Sequence, residues 1–361
     1  MHRRTLIAIA AGAAIAAIPA AANATIAYVT VPKNQIGKTW VTTADDNGQN
    51  PVRIAQGMSA VISPDGERLA YQVDAGAKAA TPNLFILDRV GGGTVQVAGS
   101  CLGALSWSPD SKWLACQTQS ADSKGYVTGN GLGLVQVPVP LTGVAGLTMT
   151  DYIPPAGNNV GYGTAFSPDS LSIAFSQQPY SSKAYAGTLY VAPLTDATQR
   201  TALLTNAMSP AWGTYGIAAV RYRNVVVRMG KQRVRTVHTQ LWTTQPTGGV
   251  AQLTHYKASG LTAGPGIGVW SPTGTFLAGS IGGEDESQLA TFGVPGGATR
   301  VLEKNNLSTP AAVSVDGTRV LFTTGIEGGA TSIKVVGVNG KGLRTLVKQA
   351  DGVSATASWN G

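Results

Sequence analysis

Apolar and polar residues alternate with a period of two in short runs along this chain, and turn residues punctuate the runs. The clearest unit reads Val61-Ile62, then Ser63-Pro64-Asp65-Gly66, then Leu69-Ala70-Tyr71. Proline presets the backbone angle at the second turn position, Asp bonds its own backbone and Gly accepts positive φ. The unit therefore predicts two strands joined as a hairpin. The phrase returns after Trp107 (Ser108-Pro109-Asp110-Ser111), Phe166 (Ser167-Pro168-Asp169-Ser170), Trp270 (Ser271-Pro272-Thr273-Gly274) and Val313 (Ser314-Val315-Asp316-Gly317). A worn copy sits at Trp212-Gly213-Thr214-Tyr215-Gly216. An apolar pair or triplet follows each copy, such as Leu114-Ala115-Cys116 or Val320-Leu321-Phe322.

A second phrase follows in most units: an apolar strand, a loose Gly-rich turn and another apolar strand. Leu84-Phe85-Ile86-Leu87 before Gly91-Gly92-Gly93 is one case, and Ile333-Lys334-Val335-Val336 before Gly340 is another. Four strands per unit, at roughly forty to sixty residues, is the layout of a propeller blade and predicts an all-β fold of four-stranded antiparallel blades. Near the start, Ile26-Ala27-Tyr28-Val29 reads as the second strand of a unit, Thr39-Trp40-Val41-Thr42 as the third and Pro51-Val52-Arg53-Ile54 as the fourth. The missing first strand stands at the other end, in Ala357-Ser358-Trp359-Asn360-Gly361. Seven blades closed by pairing of the terminal strands are the expectation, which removes two exposed edges at once. Six or eight are the alternatives if the copy at Trp212 is misread.

These phrases resemble the WD40-like (PD40) repeat of TolB-type β-propellers, which is also found in the propeller halves of prolyl-oligopeptidase-like enzymes. The resemblance spans essentially the whole chain after its leader and implies the fold. It does not carry an activity, because one propeller fold hosts many functions. TolB-like proteins place an α/β domain ahead of the propeller, whereas this chain passes from its leader into a blade. The peptidases add a hydrolase domain with a Gly-x-Ser-x-Gly elbow, a motif absent from this sequence.

Met1-His2-Arg3-Arg4, the apolar stretch from Leu6 to Ile18 and Ala22-Asn23-Ala24 form the three parts of a secretory leader. Cleavage after Ala24 is expected, leaving residues 25–361 as one propeller domain in the periplasm or outside the cell. Arg3-Arg4 leaves the choice between the general and the twin-arginine export route open. No later segment is apolar enough to span a bilayer. Charged residues make up 12% of the chain, about half the usual share, so the surface draws on Ser, Thr, Gln, Asn and Gly. Cys101 and Cys116 flank the hairpin at Trp107, and in an exported chain they predict a disulfide. Gly99-Ser100-Cys101-Leu102-Gly103 imitates a nucleophile elbow, but such an elbow needs a strand-to-helix turn and a His partner.

No residue stands out as catalytic, no metal site is expected and no cofactor motif is present. His238 and His255 lack metal-site spacing, and Glu284-Asp285-Glu286 reads as a solvated hairpin tip. Asp45-Asp46-Asn47-Gly48 lacks the alternating ligands of a calcium loop and falls where a plain turn belongs. The tryptophans follow the repeat register, which assigns them to packing between blades; Trp113 departs furthest and still falls in a second strand. Pro138, Pro140, Pro154 and Pro155, with Asp151-Tyr152, predict a long rim loop in the overlong unit from Trp107 to Phe166.

One segment breaks the charge pattern. From Ala197 to Gly283 there is no Asp or Glu, yet Arg221, Arg223, Arg228, Lys231, Arg233 and Arg235 lie within it. The unit is also overlong, with 58 residues from Trp212 to Trp270 against 45 from Ile62 to Trp107. An extended hairpin turning at Met229-Gly230 would set Arg228, Lys231, Arg233 and Arg235 on one face with Asn224, and Val225, Val227 and Val234 on the other. Like charges across strands repel, so an anionic partner is expected: an acidic envelope protein, a polyanionic polymer or a lipid headgroup. The competing reading spreads the surplus of a +8 chain over solvated strands. Nucleic acid is not the expected partner, because aromatic interleaving is limited to Tyr222. The leading expectation is a non-enzymatic binding scaffold of the envelope. A polysaccharide lyase or hydrolase working at the central mouth is the first alternative, and a lectin-like sugar binder the second.

Overall fold

The computed structural model describes residues 25–30, 39–74, 82–99, 101–141, 143–182, 187–229, 231–256, 264–282, 287–296, 298–304, 307–325, 332–347 and 353–360. The leader and Glu284-Asp285-Glu286 lie outside the described residues.

Strands carry nearly all of the regular structure, and a short 3-10 turn at Ala197–Gln199, capped by Asp196, is the exception among the described residues. The first set contains β1 (Thr25–Thr30), β2 (Trp40–Asp45) and β3 (Val52–Gln56). Next come β4 (Ser59–Ile62), β5 (Arg68–Val73), β6 (Asn83–Asp88) and β7 (Thr94–Ala98). The third set is β8 (Leu102–Trp107), β9 (Trp113–Ala121), β10 (Val127–Gln136) and β11 (Leu147–Ile153). The fourth is β12 (Asn158–Phe166), β13 (Ser172–Pro179), β14 (Thr188–Pro193) and β15 (Thr201–Thr205). Then follow β16 (Ala207–Gly213), β17 (Gly216–Met229), β18 (Gln232–Thr244) and β19 (Val250–Gln252). The sixth set is β20 (Gly264–Trp270), β21 (Phe276–Gly282), β22 (Ser287–Gly293) and β23 (Thr299–Glu303). The seventh is β24 (Leu307–Val313), β25 (Arg319–Gly325), β26 (Ser332–Gly337) and β27 (Arg344–Val347). The last strand, β28 (Val353–Trp359), returns to pair antiparallel with β1, Ile26 opposite Trp359 and Ala27 opposite Ser358.

Within each set consecutive strands pair antiparallel, and the second, third and fourth sets are also stitched by short parallel bridges, Leu147 to Val97 and Asn130 to Asn159. The leading strands touch in sequence from β4 through β8, β12, β16, β20 and β24 to β28, and β28 touches β4 again. The core has the same cyclic order. Trp107 packs with Leu84 and Ile86 between the second and third sets, and Trp270 packs with Leu241 between the fifth and sixth. Leu321 and Ile333 of the seventh set share a cluster with Ile26 and Tyr28 of the first. Removing this apolar surface from water at every junction is the main force holding the sets together.

The repeated turn works as a small hydrogen-bonded unit. Ser63 Oγ donates to Asp65 Oδ1 (2.5 Å) and accepts from Arg68 N (2.9 Å), while Gly66 N donates to Ser63 O (2.8 Å). Ser108, Ser167 and Ser314 repeat the bond to Asp110, Asp169 and Asp316. The fourth turn position is left-handed in every copy: Gly66 (φ 74°), Ser111 (60°), Ser170 (60°), Gly274 (69°) and Gly317 (69°). Serine tolerates this strain where its hydroxyl reaches the preceding turn, since Ser111 Oγ accepts from Asp65 N (3.1 Å) and Ser170 Oγ from Asp110 N (3.0 Å).

Cys101 and Cys116 form a disulfide within the third set, with Cα atoms 5.8 Å apart. The Asp45-Asp46-Asn47-Gly48 stretch is a plain turn in which Asp45 Oδ1 accepts from Gln49 N, and Asp46 pairs with Arg319 at 3.4 Å. The long rim loop expected near Asp151-Tyr152 needs correcting. Those residues belong to β11, whose apolar positions bury on the neighbouring set, and Tyr152 Oη donates to Pro193 O (2.5 Å). The surplus length of this unit goes instead into the extended β9–β10 hairpin and the connection ahead of β11.

Candidate functional site

The two longest strands, β17 and β18, make the candidate site. β16 pairs with β17 only as far as Arg221, and β19 reaches only to Trp242 of β18. Beyond those points eight register pairs run from Tyr222 with Thr239 to Met229 with Gln232; Tyr222 N still donates to Asn206 O (2.8 Å), and no third strand pairs with them among the described residues. At about 3.3 Å per residue they form a two-stranded ribbon about 25 Å long. Valine and threonine supply the β-branched residues that hold such a ribbon extended.

Register decides which charges meet. Arg228 stands opposite Arg233, and Arg235 opposite Val226, so these three arginines share a face with Asn224. Val225, Val227 and Val234 take the other face, as the sequence led us to expect. The expected turn at Met229-Gly230 is one residue early: Met229 still pairs with Gln232, so Lys231 lies beyond the ladder rather than on it. Arg221 and Arg223 fall on the valine face, opposite Gln240 and His238, and do not join the tip arginines. The six basic residues thus divide into an exposed tip and a root pair in which Arg221 is half-buried and Arg223 exposed.

The root lines a cleft of about 600 Å³. Arg221 lies over the Trp242 ring at 4.8 Å, a cation–π contact. Gln240 is oriented through its amide, donating to Tyr256 O and accepting from Tyr256 N and Thr254 Oγ1. His238 Nε2 is buried without a hydrogen-bond partner among the described residues. No carboxylate forms an ion pair with Arg221, Arg223, Arg228, Arg233 or Arg235 among the described residues.

A second cleft, about 490 Å³, adjoins the first through Asn206. Arg200 lies over Tyr190 at 5.0 Å and donates to Gln177 Oε1 (2.8 Å). Gln178 Oε1 is buried there with no partner among the described residues. The sequence reading missed Arg200, Tyr190, Trp242 and Asn206 as site residues. The repeat assigns the two aromatics to packing, and nothing in the linear spacing links Arg200 of the fourth set to Arg221 of the fifth.

The seven leading strands, from β4 to β28, carry no Asp, Glu, His, Lys, Arg or Cys; Gly, Ala, Ser, Thr, Pro, Asn, one Tyr, one Met and aliphatic or Trp/Phe residues fill them. His255 sits in a loop and His238 on β18. No group of three or more potential metal ligands converges among the described residues. No helix among them is long and apolar enough to cross a membrane.

No family model and no curated protein matches the chain. Solved structures do. The β-propeller domain of the Trilobed protease from Pyrococcus furiosus is similar at TM-score 0.62 and 11% identity, over 91% of this chain and 95% of that one. The fold is a β-propeller. TolB from Acinetobacter baumannii is similar at TM-score 0.52 and 16% identity over 93% of this propeller chain, which spans 66% of that TolB. The periplasmic gluconolactonase of Pseudomonas aeruginosa is similar at TM-score 0.59 and 15% identity, over 93% of this chain and 99% of that one. At such identities the likeness concerns architecture, and the same propeller carries both TolB and hydrolases.

Proposed function

We propose that this chain is an exported, non-enzymatic propeller that serves as a scaffold in the cell envelope and holds an anionic macromolecule at the β17–β18 ribbon. The observation that carries the reading is the placement of Arg228 opposite Arg233, with Arg235 beside them on a ribbon without carboxylates. Three guanidiniums on one exposed face raise the local potential and leave bidentate donors for an anion. The disulfide and the leader sequence support export. Leading strands filled with small and apolar side chains support binding rather than acid–base work at the central mouth.

The test replaces Arg228, Lys231, Arg233 and Arg235 together by Ser and measures capture of native envelope components at rising salt. The parent should retain a component that salt releases, and the variant should lose it with an unchanged melting temperature. Equal capture by both proteins would overturn the role of the ribbon.

A further inference from the structure

The two clefts at the ribbon root repeat one chemistry. Each holds a guanidinium laid on an aromatic ring, Arg221 on Trp242 and Arg200 on Tyr190. Each also holds a glutamine amide fixed by hydrogen bonds, Gln240 in one and Gln177 in the other. One buried polar atom lacks a partner in each, His238 Nε2 and Gln178 Oε1. Buried polar atoms ordinarily find partners, so these two mark where outside hydrogen-bonding groups belong. Both clefts fall within the usual range of ligand pockets, about 300–1,000 Å³, and they meet at Asn206.

From this repetition we infer that the joined clefts bind two neighbouring units of an acidic polysaccharide, one carboxylate-bearing sugar in each. A guanidinium held over a ring has its N–H groups at the edge for a carboxylate, and Arg200, which gives one to Gln177 Oε1, keeps the others. Beside the fixed amides, Gln178 Oε1 and His238 Nε2 are the polar atoms left for sugar hydroxyls. No Asp or Glu is among the residues lining either cleft, so no lining carboxylate pairs with these arginines or repels an acidic ligand. The inference rests on the anion-binding reading of the ribbon region and narrows it to a polymer class.

The full chain is titrated by calorimetry with oligogalacturonates, and with neutral dextran oligomers, polyglutamate and polyphosphate as controls. Oligogalacturonates should bind and dextran should not. Arg200→Gln and Arg221→Gln should each weaken binding roughly tenfold or more, the loss of one charge-assisted bond. Arg221→Lys, which keeps charge without the fork, should also weaken it, and a melting curve on each variant checks that the fold is intact. Lys112→Ser, which removes an exposed charge outside both clefts, should bind oligogalacturonates as the parent does. Equal affinity for polyglutamate or polyphosphate, or unchanged affinity in folded Arg200 and Arg221 variants, would overturn the saccharide inference while leaving the ribbon scaffold standing. Absence of binding to every polyanion would overturn both.

Discussion

Arg228 and Arg233 face each other directly across the β17–β18 ladder, on a ribbon whose outer edges no other strand covers among the described residues. Cross-strand like charges cost roughly 0.2–1 kcal/mol, so the repulsion weakens pairing at the ribbon tip. Arg233→Glu turns the repulsion into attraction. Hydrogen exchange of the ribbon amides should slow in that variant at low salt, and the difference should vanish near 1 M salt, where the Debye length is about 3 Å. Equal exchange rates at low salt would show that the two charges do not interact.

The contact between the chain ends depends on Gly66. Its φ is 74°, and a Cβ there would come within 2.0 Å of Asn360 Nδ2. Asn360 Oδ1 in turn accepts from Thr25 N (2.6 Å). Gly66→Ala should lower stability by about 1–3 kcal/mol through strain and displacement of Asn360. Pairing it with Asn360→Gly should recover part of the loss, so a double-mutant cycle by denaturant unfolding should be non-additive. Simple additivity would separate Gly66 from the terminal strand.

Cys101 and Cys116 close a 15-residue separation inside the third set, with both side chains buried. Replacing both by Ser should cost about 3 kcal/mol by the chain-entropy estimate. Thiol titration of denatured, unreduced protein should detect no free thiol, and two would refute the bond.

The turn carboxylates set the acid limb of stability. The Ser314 hydroxyl, then the Thr318 N–H and hydroxyl, hold Asp316 down to about 2 from an ordinary 3.8. Asp169 is lowered by Ser167 and then by the Leu171 N–H. Burial works against Asp110, but Ser108, the Lys112 N–H and the Lys112 charge outweigh it and lower that carboxyl too. A depressed carboxyl contributes its stability above the unfolded value and loses it as pH falls through the folded one. Melting temperature should therefore hold above about pH 4 and drop toward pH 2, and Asp316→Asn should flatten that drop. An unchanged slope in the variant would remove Asp316 from the transition.

The turns were legible because their chemistry is local: Ser63, Pro64, Asp65 and Gly66 settle their own geometry within a few residues, and five copies in register announce the repeat. The Cys101–Cys116 bond was legible for the same reason, since both residues flank one hairpin. Even the faces of the ribbon followed from a period of two, while its turn position, which moved Lys231 off the ladder, depended on how Met229 and Gln232 pair. What no short window contains is the contact between separate sets. Asn360 against Gly66, Asp46 against Arg319, and the clefts of Arg200 and Arg221 that share Asn206 arise only when apolar faces far apart in sequence bury against each other. Local backbone preference writes the strands and turns of this chain, and non-local burial decides which side chains share a cleft.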